Sequence, residues 1–238
     1  MKIIAWNCQG AFRKKNETIV SLKPDILVVP ECENEEKLQF GILTPKSNDF
    51  IWYGDNPNKG MGIFSYSNYK LELLEEHNPY FKYIVPIRVT NSEKSFVLVA
   101  VWTVPNIDNN DAKYIGQLFL AIEHYSQIFA NEDIIMIGDF NSNATLDKNN
   151  KVGTYLDVVQ RLTEMKISSL YHEKTKQSQG EEKSPTFFLQ RNKSKPFHID
   201  YCFVSEKFLE NDFTFTIGNV DDWIHISDHL PLIVDVEQ

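Results

Sequence analysis

Cysteine is scarce in this sequence, and its three copies, Cys8, Cys32 and Cys202, are odd in number and far apart. They have neither the paired spacing of a zinc site nor the even count of a secreted disulfide framework. Each lies close to a polar residue of interest, which leaves a thiol mechanism open; the favoured reading is small, buried, reduced side chains beside strand ends. Long hydrophobic runs are also missing, so no segment is expected to span a bilayer. The opening Met1-Lys2-Ile3-Ile4-Ala5-Trp6-Asn7 reaches polar residues too soon for a signal peptide, which makes a cytoplasmic location the expectation. Positive charge is in deficit, with 24 Lys and Arg against 33 Asp and Glu and a net charge of -9. That balance argues against non-specific phosphate binding over the whole surface. A polyanionic substrate stays open, because a bound divalent cation would be the largest local charge in a site. No low-complexity linker and no repeat at solenoid spacing interrupts the chain.

What is present is an ordinary globular composition, 42% hydrophobic and 24% charged over 238 residues. One domain over 1–238 is expected, large enough to bury a core without disulfides or a structural metal. Apolar runs predict strands over 2–6, 26–29, 50–53, 61–66, 70–74, 83–89, 96–101, 134–137, 186–189, 198–204, 213–217 and 230–236. Helical spacing predicts helices over 11–22, stopped by Pro24, over 111–129 with Asp111 as a cap, and over 155–165. Helices near the start and middle, separated by consecutive strands, indicate a layered α/β architecture with mixed sheets. The lysine- and serine-rich stretch 173–183 is the candidate mobile loop.

The most informative stretch is Gly138-Asp139-Phe140-Asn141, at the end of the apolar run Ile134-Ile135-Met136-Ile137. Side chains two apart on a strand share a face, so Asp139 and Asn141 can reach one site if extended geometry persists. An ordinary turn after a strand is the competing reading. Similar polar exits tip the balance: Trp6-Asn7, Pro30-Glu31-Cys32-Glu33, and Ser227-Asp228-His229 ahead of Leu230-Pro231-Leu232. His198-Ile199-Asp200-Tyr201 places His198 and Asp200 on one strand face. Carboxylates and amides of this kind suit a hard, oxygen-liganded cation such as Mg2+, and an aspartate beside a histidine can orient it and hold it charged.

In these pieces, in this order, the sequence resembles the endonuclease/exonuclease/phosphatase superfamily of DNase I-like proteins. Trp6-Asn7, Pro30-Glu31, Gly138-Asp139-Phe140-Asn141, Ile199-Asp200-Tyr201 and Ser227-Asp228-His229-Leu230-Pro231-Leu232 carry the likeness, which spans nearly the whole chain. The resemblance implies a four-layer α/β/β/α sandwich with two central mixed β-sheets and a site at one edge of them. It implies that Glu31 is the principal metal ligand, that Asp228 assists directly or through water, and that Asn7 meets the metal or the scissile phosphate. Asp139 is expected to orient or deprotonate the attacking water, with Asn141 helping to place it. His229 is expected to bond a phosphate oxygen, oriented by Asp200. The implied cofactor is Mg2+, with Mn2+ as a substitute; the implied partner is a phosphoester substrate, nucleic acid first, with no obligate protein partner.

Several positions keep two readings. His198 is a substrate-binding candidate or a support for Asp200. DNase-like members carry a catalytic histidine in the Trp102 region and AP endonucleases a tyrosine near Thr103; this chain has neither, although Asn106 fits a phosphate-contacting asparagine. Trp102 could stack on a base or pack in the core. Arg191, with Lys193 and Lys195, could overhang the site and clamp a phosphate, as could Arg13 and Lys14; solvated loop charge is the alternative. The reaction expected is Mg2+-dependent phosphodiester hydrolysis, a nuclease before a small-molecule phosphodiesterase or phosphatase. A non-catalytic binding protein of the same fold is the third reading.

Overall fold

Runs such as Ile26-Leu27-Val28-Val29 and Ile134-Ile135-Met136-Ile137 are apolar at every position because both faces of their strands are covered. The computed structural model describes residues 1–105, 110–146 and 151–236. Its strands are β1 (Lys2–Ala5), β2 (Ile26–Cys32), β3 (Asp49–Asn56), β4 (Lys59–Ser65), β5 (Lys70–Leu73), β6 (Ile84–Thr90) and β7 (Ser95–Trp102). They continue as β8 (Ile134–Asp139), β9 (Ile167–Ser169), β10 (Phe187–Phe188), β11 (Pro196–Phe197), β12 (Asp200–Ser205), β13 (Phe213–Ile217) and β14 (Leu232–Val236). One six-stranded sheet has the order β13-β14-β1-β2-β4-β3 and the other β5-β6-β7-β8-β12-β9. Both are mixed: β1–β2 and β7–β8 are parallel, and the remaining pairs are antiparallel.

The alternation of side chains sorts the apolar residues into three interfaces. Ile3 and Val28 of one sheet meet Ile87, Leu98, Ile135 and Ile137 of the other. Their strand neighbours Ile4, Leu27 and Val29 point outward, onto Ile19 of α1 (Asn16–Val20), Leu38 of α2 (Glu35–Leu38) and Trp223. On the far side Val97, Val99, Ile134 and Met136 pack beneath α3 (Ile115–His124), α4 (Ser126–Asn131) and α5 (Tyr155–Glu164). Three apolar interfaces separate four layers, α/β/β/α. Burying one Leu or Ile stabilises by about 1.5–3 kcal/mol, so the inter-sheet contact is strong enough to fix how the strand ends face each other. Three short helices complete the chain: α6 (Leu170–Thr175), α7 (Glu206–Leu209) and α8 (Val220–Trp223).

Some expected elements are broken or shortened. The segment 11–22 is a 3-10 turn, Phe12–Lys14, followed by α1, because the Asn16 side chain donates to the Phe12, Arg13 and Leu43 carbonyls and Glu33 takes the Arg13 amide. The long helix splits at Tyr125, whose hydroxyl accepts from the Asn78 amide, and Asp111 pairs with Lys151 instead of capping. By contrast α5 starts where Thr154 and Asp157 form a reciprocal capping box. The expected strand 186–189 contracts to β10, which pairs with β11 and bridges His229 through Phe187. The stretch 173–183 is tied down: α6 enters it, the Tyr171 hydroxyl accepts from the Lys183 and Ser184 amides, and buried Glu182 holds His172 and the Gly180 amide.

Candidate active site

Parallel strands running out and antiparallel strands running in bring one end of both sheets together. Asn7 follows β1, Glu31 lies near the end of β2, Asp139 ends β8, Asp200 opens β12 directly opposite Asp139, and His229 precedes β14. Glu31 sits at the register shift between Pro30 and Cys32 in the β2–β4 pair, with a left-handed φ of 62°. Such a bulge re-aims a side chain, here toward Asn7. Gly138 permits the closest approach of β7 and β8: its φ is 144°, and a Cβ there would stand 2.0 Å from the Val101 carbonyl oxygen.

Asp139 is the hub. Its Oδ2 accepts from Asn7 Nδ2 at 2.9 Å and Asn141 Nδ2 at 3.1 Å, and its Oδ1 accepts from the Asn141 amide at 2.8 Å. Asn141 does not reach the site by extended geometry, as the sequence suggests. Its φ of 47° turns the chain back, and its side chain also donates to the Thr103 carbonyl. Asn7 reaches the other way as well, to Glu31 Oε1 at 3.4 Å. Burial pushes the Asp139 carboxyl up to about 7, with the His229 charge opposing that rise and Asp200 adding to it.

His229 faces this hub. Its Nδ1 lies 3.0 Å from Asp200 Oδ2, and its Nε2 stands 3.8 Å from Asp139 Oδ2, too far for a direct hydrogen bond. Burial alone would lower the imidazole pKa; the carboxylates of Asp200 and Asp139 overcome it and raise it to about 10. The ring is therefore an imidazolium at neutral pH, with Nε2–H aimed into the site. Trp6 Nε1 donates to the His229 carbonyl, Ser227 Oγ bridges the His229 amide and the Asn7 carbonyl, and the Phe187 ring lies 4.6 Å from the imidazole. Thr186 Oγ1 accepts from the Asp200 backbone amide, so the backbone that carries the orienting carboxylate is itself held.

Asp139, Asp200 and His229 offer ligand atoms that all lie within 4.8 Å of one another. A charged imidazolium cannot ligate, and Asp200 is spent on it, so this trio suits a cation poorly while His229 is protonated. On the other side of the site Glu31 and Asp228 offer carboxylate oxygens, the donor type a hard cation takes, whereas Asn7 turns its Nδ2 to Glu31 and Asp139 and its Oδ1 accepts from the Gln9 amide. Glu31 Oε2 is 3.1 Å from Lys59 Nζ, and Asp228 Oδ2 accepts from Gln9 Nε2 at 2.7 Å.

The remaining candidates lie elsewhere or farther out. Arg191 is exposed and donates to Gln9 Oε1 and to the His225 and Ile226 carbonyls, so it meets the site through Gln9. His198 does not share a strand face with Asp200, because β12 begins at Asp200. Its ring packs on Tyr171 and Tyr201 and its Nδ1 meets the Ser184 carbonyl. Arg13 pairs with Glu33 and Lys193 with Asp221. Trp102 packs in the inter-sheet core against Tyr83. Asn106 lies outside the described residues. All three cysteines are buried, and burial pushes the Cys8 thiol up to about 12 and raises Cys32 and Cys202 as well, which leaves no ready thiolate. The residues that sequence reasoning missed are Gln9, Lys59 and Phe187. Gln9 carried a signal in its position two residues after Asn7; Lys59, in a distant hairpin, carried none.

No family model and no curated protein sequence matches the chain. Solved structures do. A 3'-5' exonuclease (NExo) from Neisseria meningitidis superposes with a TM-score of 0.68 at 19% identity, over 100% of both chains. An AP endonuclease from Archaeoglobus fulgidus gives 0.68 at 18% identity, again over 100% of both. The endonuclease domain of TRAS1, a telomere-specific non-LTR retrotransposon, gives 0.68 at 16%, over 100% of this chain and 98% of that one. The chain has the DNase I-like fold. Among the described residues no helix of this DNase I-like chain is long and apolar enough to cross a membrane.

Proposed function

We propose that this chain, as one catalytic domain over 1–238, is a Mg2+-dependent phosphoesterase that hydrolyses a phosphodiester by direct attack of water, with nucleic acid the leading substrate. The observation that carries this reading is the 3.8 Å gap between the Asp139 carboxylate and the His229 imidazolium. A carboxyl raised to about 7 is matched to taking a proton at neutral pH, and a fixed N–H opposite it is matched to a phosphate oxygen. Asp139 accepts the proton of the attacking water as the water oxygen bonds to phosphorus and the ester P–O bond breaks, the departing oxygen taking a proton from solvent, while Asn7 and Asn141 hold the carboxylate in place. His229 donates to a non-bridging oxygen, and Asp200 keeps it charged and oriented. Glu31 and Asp228 are the residues to hold Mg2+, or Mn2+ in its place, with Asn7 donating to Glu31. A bound divalent cation would offset the charge that builds on phosphorus. No covalent enzyme intermediate is needed.

Neighbours described as an exonuclease and as endonucleases favour a nuclease. A small-molecule phosphodiesterase or phosphatase is the second reading, favoured by one observation: Arg13, Lys193 and Arg191, the cations suited to clamp a nucleic-acid backbone, are engaged with partners inside the chain. A cytoplasmic setting fits the three buried reduced thiols. The test is a panel of single-stranded DNA, duplex DNA, RNA, dinucleotides and phosphorylated small molecules, with Mg2+ and with EDTA. The expected result is metal-dependent cleavage that disappears in Glu31→Ala and His229→Ala. Activity confined to small molecules overturns the nuclease assignment, and no hydrolysis anywhere in the panel overturns the enzyme.

A further inference from the structure

Gln9 and Arg191 are separated by 182 positions in the sequence, yet their side chains meet beside Asp228. Both residues hold a left-handed backbone, with a φ of 54° at Gln9 and 57° at Arg191. Neither is glycine, so each conformation costs free energy and persists only where its surroundings impose it. Gln9 is held from three sides. Its amide donates to Asn7 Oδ1 at 3.0 Å, Lys15 Nζ donates to its carbonyl at 3.4 Å and to that of Cys8 at 2.6 Å, and Arg191 Nε donates to its Oε1 at 2.9 Å. Arg191 is fixed in turn by donating to the His225 and Ile226 carbonyls at 2.8 and 3.0 Å. Those two carbonyls immediately precede Ser227, Asp228 and His229 in the chain.

These bonds decide which way two side-chain amides point. A glutamine amide has an acceptor end and a donor end, and only the donor end suits a carboxylate. With Oε1 held by the guanidinium, Nε2 is turned to Asp228 and donates to its Oδ2 at 2.7 Å. Asp228 Oδ1 then lies toward the pocket, 4.0 Å from His229 Nε2. The Gln9 backbone amide does the same for Asn7: it takes Oδ1, which leaves Nδ2 to donate to Asp139 at 2.9 Å and to Glu31 at 3.4 Å. We propose that Gln9 and Arg191 are positioning residues for the cation side of the site: Arg191 sets the Gln9 side chain, and Gln9 sets Asp228 and Asn7. This rests on the assignment of Glu31 and Asp228 to a divalent cation. The charge of Arg191 acts the opposite way, because a guanidinium near Asp228 repels a cation. Arg191 is exposed, so that repulsion is screened over about 8 Å at physiological ionic strength. A partner that orients a metal-binding carboxylate is worth about 10–100-fold in metal affinity. Positioning therefore outweighs repulsion, and the sign of the Arg191 effect tells the two apart.

The test is titration of the metal-free full chain with Mn2+ at physiological ionic strength, read by electron paramagnetic resonance, with the melting temperature in EDTA as the check that each variant is folded. Gln9→Met is expected to weaken Mn2+ binding by about tenfold, the low end for such a partner. Arg191→Met is expected to weaken it severalfold at an unchanged melting temperature. Because Arg191 sits on the surface, that variant keeps the test valid if Gln9→Met misfolds. The double variant is expected to bind no more weakly than Gln9→Met, since Arg191 acts through Gln9. The proposal is overturned if Gln9→Met binds Mn2+ as the wild type does, if Arg191→Met binds it equally or more tightly, or if the two losses add. Glu31→Ala separates this failure from that of the metal site. Loss of Mn2+ binding in Glu31→Ala with none in Gln9→Met rejects the positioning pair alone. Mn2+ binding that is absent from the wild type, or unmoved in Glu31→Ala, rejects the cation assignment and the pair with it.

Discussion

Lys59 Nζ lies 3.1 Å from Glu31 Oε2 and 5.3 Å from the centroid of the Trp102 ring. The proposed metal carboxylate is thus already neutralised by a cation from the opening of β4. A divalent ion entering beside Glu31 has to displace that ammonium or share the carboxylate with it. Replacing Lys59 by Met removes the competitor while keeping the length of the side chain. Mn2+ should then bind the free protein several-fold more tightly, on the order of the 1 kcal/mol at the upper end for an exposed charge pair, as read by electron paramagnetic resonance or calorimetry. Equal affinity in both proteins would mean that Glu31 does not meet the metal.

Removing the partner that holds the imidazole charged should be visible in the pH profile. In Asp200→Asn the His229 pKa falls back toward its ordinary value, so the alkaline limb of kcat/KM moves to lower pH. Activity at neutral pH drops by about 10²–10⁴-fold, the usual range for a mispositioned acid or donor. A uniform drop with an unmoved profile would give Asp200 a purely structural role.

Stability of the metal-free protein should fall as pH rises. His229 is raised from 6.5 to about 10 in the folded state, so its contribution is fully present below 6.5 and is lost as pH passes through about 10. Asp139 works in the same direction at lower pH: its carboxyl is raised from 3.8 to about 7, so its contribution is fully present below 3.8 and is lost as pH passes through about 7. Melting temperatures in EDTA should decline between pH 6.5 and 10, and His229→Gln should flatten that slope. A flat wild-type profile over this range contradicts the imidazolium.

Gly138→Ala puts a methyl group 2.0 Å from the Val101 carbonyl oxygen at a φ of 144°. Either β7 and β8 separate or the backbone strains, at a cost of roughly 1–3 kcal/mol or more. Urea unfolding should show that loss. Activity should fall beyond it, because Asp139 is the next residue along the chain.

The layered fold was legible because strands buried on both faces leave unbroken apolar runs, as at 26–29 and 134–137. Asn7, Glu31, Asp139, Asp200 and His229 stood out because polar side chains at the ends of such runs are costly unless they are satisfied or used. Their contacts were not legible. Asn141 reaches Asp139 through a left-handed turn, a reversal that period-two reasoning cannot give. Lys59 sits in a hairpin whose lysine looks like any solvated charge until the sheets are assembled. The 173–183 stretch reads as mobile from its lysines and serines. What orders it is a set of buried hydroxyl, amide and carboxylate pairings with Tyr171, His172 and Glu182, which depend on tertiary neighbours and leave no periodic mark.

The bond from Asn7 to Asp139 joins one sheet to the other, across a sequence separation of 132. The Ser227 hydroxyl closes the ring from the far end of the chain, reaching the Asn7 carbonyl across a separation of 220. The reactive groups therefore become neighbours only after the chain's two extremes have met. Neither half of a cleaved chain holds the whole constellation. The site is thus a product of the complete tertiary fold and of no single segment of it.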